Sequence, residues 1–131
     1  MSNLFIQALL GHLISDYLLQ NKVMAIKKSE RGLNGFLWCL MHCLIYTFVV
    51  SLFLWTTSPL IITLVFLSHW FIDRYSLADR WLKMIKGRNI FEAISSKGPH
   101  HEIDLIFSCL VYVVADGAFH IALLWLIIKM I

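Results

Sequence analysis

Long apolar runs alternate with short polar ones along this chain. From Gly32 through Ile72 there is no Asp, Glu, Lys or Arg, and from Leu105 through Ile128 the only one is Asp116. A helix needs roughly 20 mostly apolar residues to cross a bilayer, so the first run suffices for two crossings and the second for one. The stretch from Leu4 towards the Lys27-Lys28-Ser29-Glu30-Arg31-Gly32 cluster supplies another. The pattern predicts an all-α integral membrane protein, a four-transmembrane-helix bundle forming one domain, with helices over about 4–24, 34–55, 60–86 and 104–130. Thr56 to Pro59 is read as the tight turn of an antiparallel hairpin, with Pro59 in the first turn of the third helix. Past Tyr75 that helix is expected to run on as SLADRWLKMIK, an amphipathic cytoplasmic extension. There Leu77, Trp81, Met84 and Ile85 recur at helical spacing while Asp79, Arg80, Lys83 and Lys86 face elsewhere. Gly87 to Ile103 reads as a polar loop broken at Gly98-Pro99, and its adjacent His100 and His101 read as exposed residues outside any site.

Within the apolar runs, ionisable residues sit where lipid tails should be. His69 and Asp73 are four apart, as are His12 and Asp16, and the same pair recurs in reverse as Asp116 and His120. Residues four apart share one helix face. Gln20 extends the stripe of His12 and Asp16 by one more turn. His42 is the lone ionisable residue of the second helix, with Cys39 and Tyr46 on its face. At about 1.5 Å per residue, all seven groups fall in one slab of middle to cytoplasmic depth, and each pair puts its Asp nearer the cytoplasm. Each Asp at mid-bilayer costs on the order of 2.5 to 3.5 kcal/mol, so three would cost about 8 to 10 kcal/mol without compensation. A cation held by His12, Asp16, His42, His69, Asp73, Asp116 and His120 supplies that compensation. Gln20, Tyr46 and Tyr112 are expected just outside it as supporting groups. Imidazole with carboxylate favours a divalent transition metal, Zn first, with Mn or Fe as alternatives. Four His and three Asp suit one ion with an outer ring of partners, or two ions sharing carboxylates.

Composition narrows the class. Sixty per cent of the 131 residues are hydrophobic and 15% charged, where a soluble domain carries about a quarter charged residues. The net charge of +3 does not point to nucleic acid, because the basic residues lie in short loops, where they meet the bilayer and its anionic lipid head groups. Lys22, Lys27, Lys28 and Arg31 follow the first run and Lys83, Lys86, Arg88 and Lys97 follow the third, whereas the Thr56 to Pro59 turn has none. The positive-inside rule then places both loops in the cytoplasm and both termini outside a cytoplasmic (inner) membrane. Trp55 and Trp125 are expected near the outer interface and Trp38 and Trp81 near the inner one. Met1 to Asn3 carries no basic leader, so the first helix is expected to stay in place. Cys39, Cys43 and Cys109 read as small buried hydrophobes rather than disulfide partners.

The ordered set of His12-Leu-Ile-Ser-Asp16-Tyr-Leu-Leu-Gln20, His42, Ser68-His69-Trp-Phe-Ile-Asp73 and Asp116 to His120 resembles the DUF3307 family of small bacterial and phage integral membrane proteins. The resemblance covers nearly the whole chain and implies the same membrane fold and polar site; it implies no established activity. In that family the last motif is often Asp-Gln, whereas Gly117 follows Asp116 here.

The expected function is a metal-dependent hydrolase inside the membrane, acting on a lipid or lipid-linked substrate, with one of Asp16, Asp73 and Asp116 as base. Two other classes compete. A proton or cation transport protein would use the same His/Asp chain and, with so few helices, would need a homo-oligomer. A non-enzymatic membrane interaction protein altering host envelope behaviour would use the polar residues only to lock helix packing.

Overall fold

The computed structural model describes residues 2–87 and 90–130, the side chain of Ser2 excepted. Met1 and Arg88, one of the basic residues of the second loop, lie outside them. Among the described residues every regular element is helical: α1 (Ser2–Leu13), a π-helical segment (Ile14–Leu19), α2 (Lys22–Lys27), α3 (Leu33–Phe53), α4 (Pro59–Tyr75), α5 (Leu77–Lys86), α6 (Ile90–Ser95) and α7 (His101–Ile128). The protein is all-α. Two helices, α3 and α7, are long and apolar enough to cross a membrane, and α4 with α5 makes a third if that bent pair is one span.

The first and third predicted helices are both broken. The first leaves α geometry at Ile14 and ends at Gln20, whose backbone is extended. Asn21 then caps α2 by accepting the Met24 N–H at 2.9 Å, a helix-start signal masked by the apolar run around it. The third stops at Ser76, which is left-handed (φ 47°, ψ 53°), and α5 departs at 53° to α4. At the other boundaries the differences are small. Pro59 opens α4 as expected, α7 begins at His101 instead of near Asp104, and α6 occupies part of the segment read as loop.

α3 is the central helix, packed against α1 and α4, and α7 closes the bundle against α1 and α4. α1 meets α3 through its small residues Ala8 and Gly11, both buried, and the π-helical segment follows with the buried Ser15. A Cβ on Gly11 would lie 3.1 Å from the Val50 Cα, so the two backbones run in close approach. One end of the bundle, made by the starts of α1 and α4 and the ends of α3 and α7, is filled by Ala8, Tyr46, Val50, Leu54, Ile61, Val65, Leu124, Ile127 and Ile128. The polar residues lie toward the other end. His12, Lys28, His42, His69, Asp73 and His120 are buried while Leu18, Phe48, Leu60, Ile106, Leu110 and Val114 are exposed. A soluble fold does the reverse, and this distribution is that of a membrane protein.

Two side chains depart from their expected faces. Asp79 is buried, because α5 packs on α7, and it accepts the Ile90 N–H at 3.2 Å. Trp81, Met84 and Ile85 of the same helix are exposed, which keeps its amphipathic character. Cys109 is exposed on α7, while Cys39 and Cys43 are buried with their sulfurs 3.9 Å apart.

Candidate functional site

Four helical segments aim polar side chains at one point. From α4, Asp73 reaches inward, only 3% exposed. Its Oδ2 lies 3.1 Å from His42 Nε2 and 3.2 Å from His69 Nε2, and those two nitrogens are 2.9 Å apart. Asp16 Oδ1, from the π-helical segment, completes the group at 3.4 Å from His42 Nε2 and 3.7 Å from His69 Nε2. The π-helical widening frees backbone carbonyls of the preceding turn, and the Ser15 hydroxyl donates to Gly11 O at 2.7 Å and His12 O at 3.1 Å. Such π segments recur at functional sites, where they re-aim a side chain.

The neighbours fix these groups in place. Tyr46 stacks on the His69 ring at 3.5 Å between centroids, and its hydroxyl lies 3.4 Å from His12 Nδ1. Gln20 Nε2 reaches His42 Nε2 at 3.1 Å. His120 Nδ1 lies 2.8 Å from the Asp116 carbonyl oxygen. A carbonyl only accepts, so Nδ1 donates, and in a neutral ring the lone pair is left on Nε2, 3.7 Å from Asp73 Oδ1. His12 Nδ1 faces Asp16 Oδ2 at 3.2 Å. His12 is therefore placed as a neighbour that orients Asp16. Tyr112 and Asp116 line a pocket beside the centre, together with Asp16, Tyr17, Gln20, Ala25, Lys28 and Val113. Gly117 faces the Tyr17 hydroxyl at ordinary contact distance. His100 and His101 lie apart from this group, with His101 Nδ1 beside the Ser96 hydroxyl at 3.1 Å.

Lys28 also belongs to the site. Its position in a charged cluster suggests a lipid-facing loop residue, yet it is 8% exposed, with Nζ 2.8 Å from Asp73 Oδ2. Burial works against its charge, but the carboxylates of Asp73, Asp116 and Asp16 outweigh it and hold the ammonium above the usual lysine range. No periodicity in the sequence carries this signal. The inward turn depends on Arg74, whose guanidinium donates to the Lys28 and Glu30 carbonyls from another helix.

The donor set fits a metal ion. Asp16, His69 and His120 form one triad, His42, His69 and Asp73 a second, and Asp73, Asp116 and His120 a third, each with candidate ligand atoms within 4.8 Å of one another. Tetrahedral zinc, with bonds of about 2.0–2.1 Å, sets its ligand atoms about 3.3 Å apart. The separations among His42 Nε2, His69 Nε2 and Asp73 Oδ2, 2.9 to 3.2 Å, come close to that value, whereas Asp16 belongs to a different triad, with His69 and His120. Asp73 Oδ2 already pairs with the Lys28 ammonium at 2.8 Å, whereas Asp16 Oδ1 meets only the imidazoles of His42 and His69, and His120 Nε2 is buried without a hydrogen-bond partner among the described residues. Groups in that state are costly, and an ion is one remedy.

A family model described as "Protein of unknown function (DUF3307)" matches residues 4–131. The chain belongs to the DUF3307 family. The match spans Lys28 as well as the seven His and Asp residues, so the whole centre lies within the DUF3307 region. No curated protein and no solved structure matches the chain significantly. What the DUF3307 site does must therefore be argued from its own geometry.

Proposed function

We propose that the protein is a metal-dependent hydrolase working inside the membrane on a lipid or lipid-linked substrate. The observation that carries this reading is the grouping of His42, His69 and Asp73, with the overlapping triad of Asp16, His69 and His120, beside a polar pocket. In this reading the chain is a four-span bundle of the cytoplasmic membrane, with both termini outside and the basic loops against anionic head groups. His42, His69 and Asp73 would hold zinc, with manganese or iron as alternatives, and Asp16 and His120 form with His69 a neighbouring triad that could share it. The metal supplies a lowered pKa for a nearby water and a positive charge for the substrate's ester oxygen. Asp116 lines the pocket at its edge and is the base: its carboxylate takes the water's proton as the water oxygen bonds to the phosphoryl or acyl centre. The ester bond then breaks, and that proton passes to the departing alkoxide. Tyr46 keeps His69 in position throughout, and the Gln20 amide would yield His42 Nε2 to the ion.

The apolar packing at one end of the bundle favours this reading over transport. Ala8, Val50, Leu54, Ile61, Val65 and Leu124 fill that end with hydrocarbon, so an ion path through it is closed as the bundle stands. For the test, purified protein is mixed with vesicles of phosphatidylglycerol and phosphatidylethanolamine, and released head group, phosphate and fatty acid are measured. Turnover is expected with zinc present. It should drop by about 100-fold or more with chelator or with Asp116→Asn, a size typical of losing a general base. Ion flux in liposomes without any hydrolysis would contradict the reading.

A further inference from the structure

We infer that the pocket between the π-helical segment, α2 and α7 receives the phosphoryl group of a lipid, and that Lys28 is the cation that recognises it. The inference rests on the hydrolase reading and names the substrate class of the same site.

Lys28 is held in place by three separate features. Asn21 caps the short helix that precedes it. Arg74 donates to its carbonyl and to that of Glu30. The Glu30 carbonyl sits against Gly35 so closely that a Cβ there would collide with it. Together they turn the Lys28 side chain away from the surface, where lysine is normally found, and into the wall of the pocket. An ammonium is a compact point charge suited to a phosphate oxygen.

The rest of the wall fits the same ligand. Tyr17, Gln20 and Tyr112 place hydroxyl and amide donors around the pocket. Asp16 and Asp116 also line it, and they repel an anion unless a cation neutralises them. Asp73 Oδ2 is shared by Lys28, His42 and His69. Were His42, His69 and Asp73 to hold a divalent ion, its charge would neutralise Asp73 and leave the Lys28 ammonium to pair with a ligand in the pocket. Phosphoryl binding is therefore expected to strengthen when the metal is bound.

Size and surroundings point to a lipid as the carrier. The pocket volume is about 210 Å³, below the ~300–1,000 Å³ of sites that enclose a whole small molecule. It takes a head-group-sized fragment. Leu18, Leu110 and Val114, on two of the segments that wall the pocket, are exposed on the outside of the bundle, where acyl chains can lie.

The test titrates purified protein in micelles, with and without zinc, using dihexanoyl phosphatidic acid, inorganic phosphate and dihexanoylglycerol. Zinc-loaded protein is expected to bind phosphatidic acid about tenfold or more tighter than either of the others, since each factor of ten is one modest polar or apolar contact. Lys28→Met should keep its zinc and lose about tenfold or more in phosphatidic acid affinity, and Lys28→Arg should recover part of it. Val113→Trp, which fills the pocket without touching the ion pair, should give the same loss in a bundle with its zinc retained. Three results would overturn the inference: equal affinity in wild type and Lys28→Met, dihexanoylglycerol bound as tightly as phosphatidic acid, or loss of zinc together with phosphatidic acid in Lys28→Met. Inorganic phosphate bound as tightly as phosphatidic acid would overturn the lipid assignment. Wild-type protein that takes up no zinc yet binds phosphatidic acid through Lys28 would support the pocket while removing the metal-dependent hydrolase. Zinc bound without phosphatidic acid would do the reverse.

Discussion

Asp73→Ala is expected to destabilise the bundle by about 3–5 kcal/mol, the cost of leaving a buried charge without its partner. Asp73 Oδ2 is the common neighbour of Lys28, His42 and His69 at 2.8 to 3.2 Å, so no other carboxylate can replace it without moving a helix. Asp73→Asn keeps the shape but not the charge and should be less damaging to folding. The cause can be separated from lost packing by a second substitution. In Asp73→Ala with Lys28→Met no buried ammonium remains, so about half or more of the lost stability should return. Unfolding in mixed micelles, followed by tryptophan fluorescence, measures all four proteins. Equal stability of Asp73→Ala and wild type would show that the pair with Lys28 contributes nothing.

Gly35→Ala is expected to cost about 1–3 kcal/mol, as overpacking against rigid backbone does, although it adds only one methyl group to a helix. Alanine is the better helix former, so propensity alone predicts a gain. The added Cβ would meet the carbonyl of Glu30 and lie 3.0 Å from that of Lys27, and neither is the end of a flexible side chain. The loop must therefore lift, and Lys28 with it. Amine acylation read by mass spectrometry should find Lys28 protected in the native wild-type protein and modified in Gly35→Ala. Gly98→Ala is the control, because nothing lies within 4 Å of a Cβ at that position. It should change neither stability nor the labelling of Lys28.

The two substitutions also mark where the sequence was informative and where it was not. The His/Asp pairs were legible because helix geometry fixes residues four apart on one face, and apolar surroundings made each ionisable group conspicuous. His42, Asp73 and the Asp116 to His120 pair converge as the alternating helix directions imply. The breaks in the first and third helices were not legible, since hydropathy reports burial in lipid and is blind to a π-helical turn at Ile14 or a left-handed Ser76. Lys28 was hidden for a different reason. Its inward turn is set by Arg74, distant in the chain, and by the close packing of the loop on Gly35, and a lysine among Lys27, Glu30 and Arg31 looks like any other loop charge. Asp79 was misplaced on the outer face because the packing of α5 on α7 cannot be read from the pattern of α5 alone. Cys109 shows the converse: a small apolar residue in a membrane helix is as much at home against lipid as against protein.

Metal analysis of detergent-purified protein tests the central claim most directly, with wild type, His42→Ala and His69→Ala prepared side by side. The account predicts about one to two transition-metal ions per wild-type chain, zinc foremost, and a loss of about 10-fold or more in metal affinity in each variant while the proteins remain folded. Wild-type protein with no stoichiometric metal, or variants that hold as much of it as wild type, would contradict it.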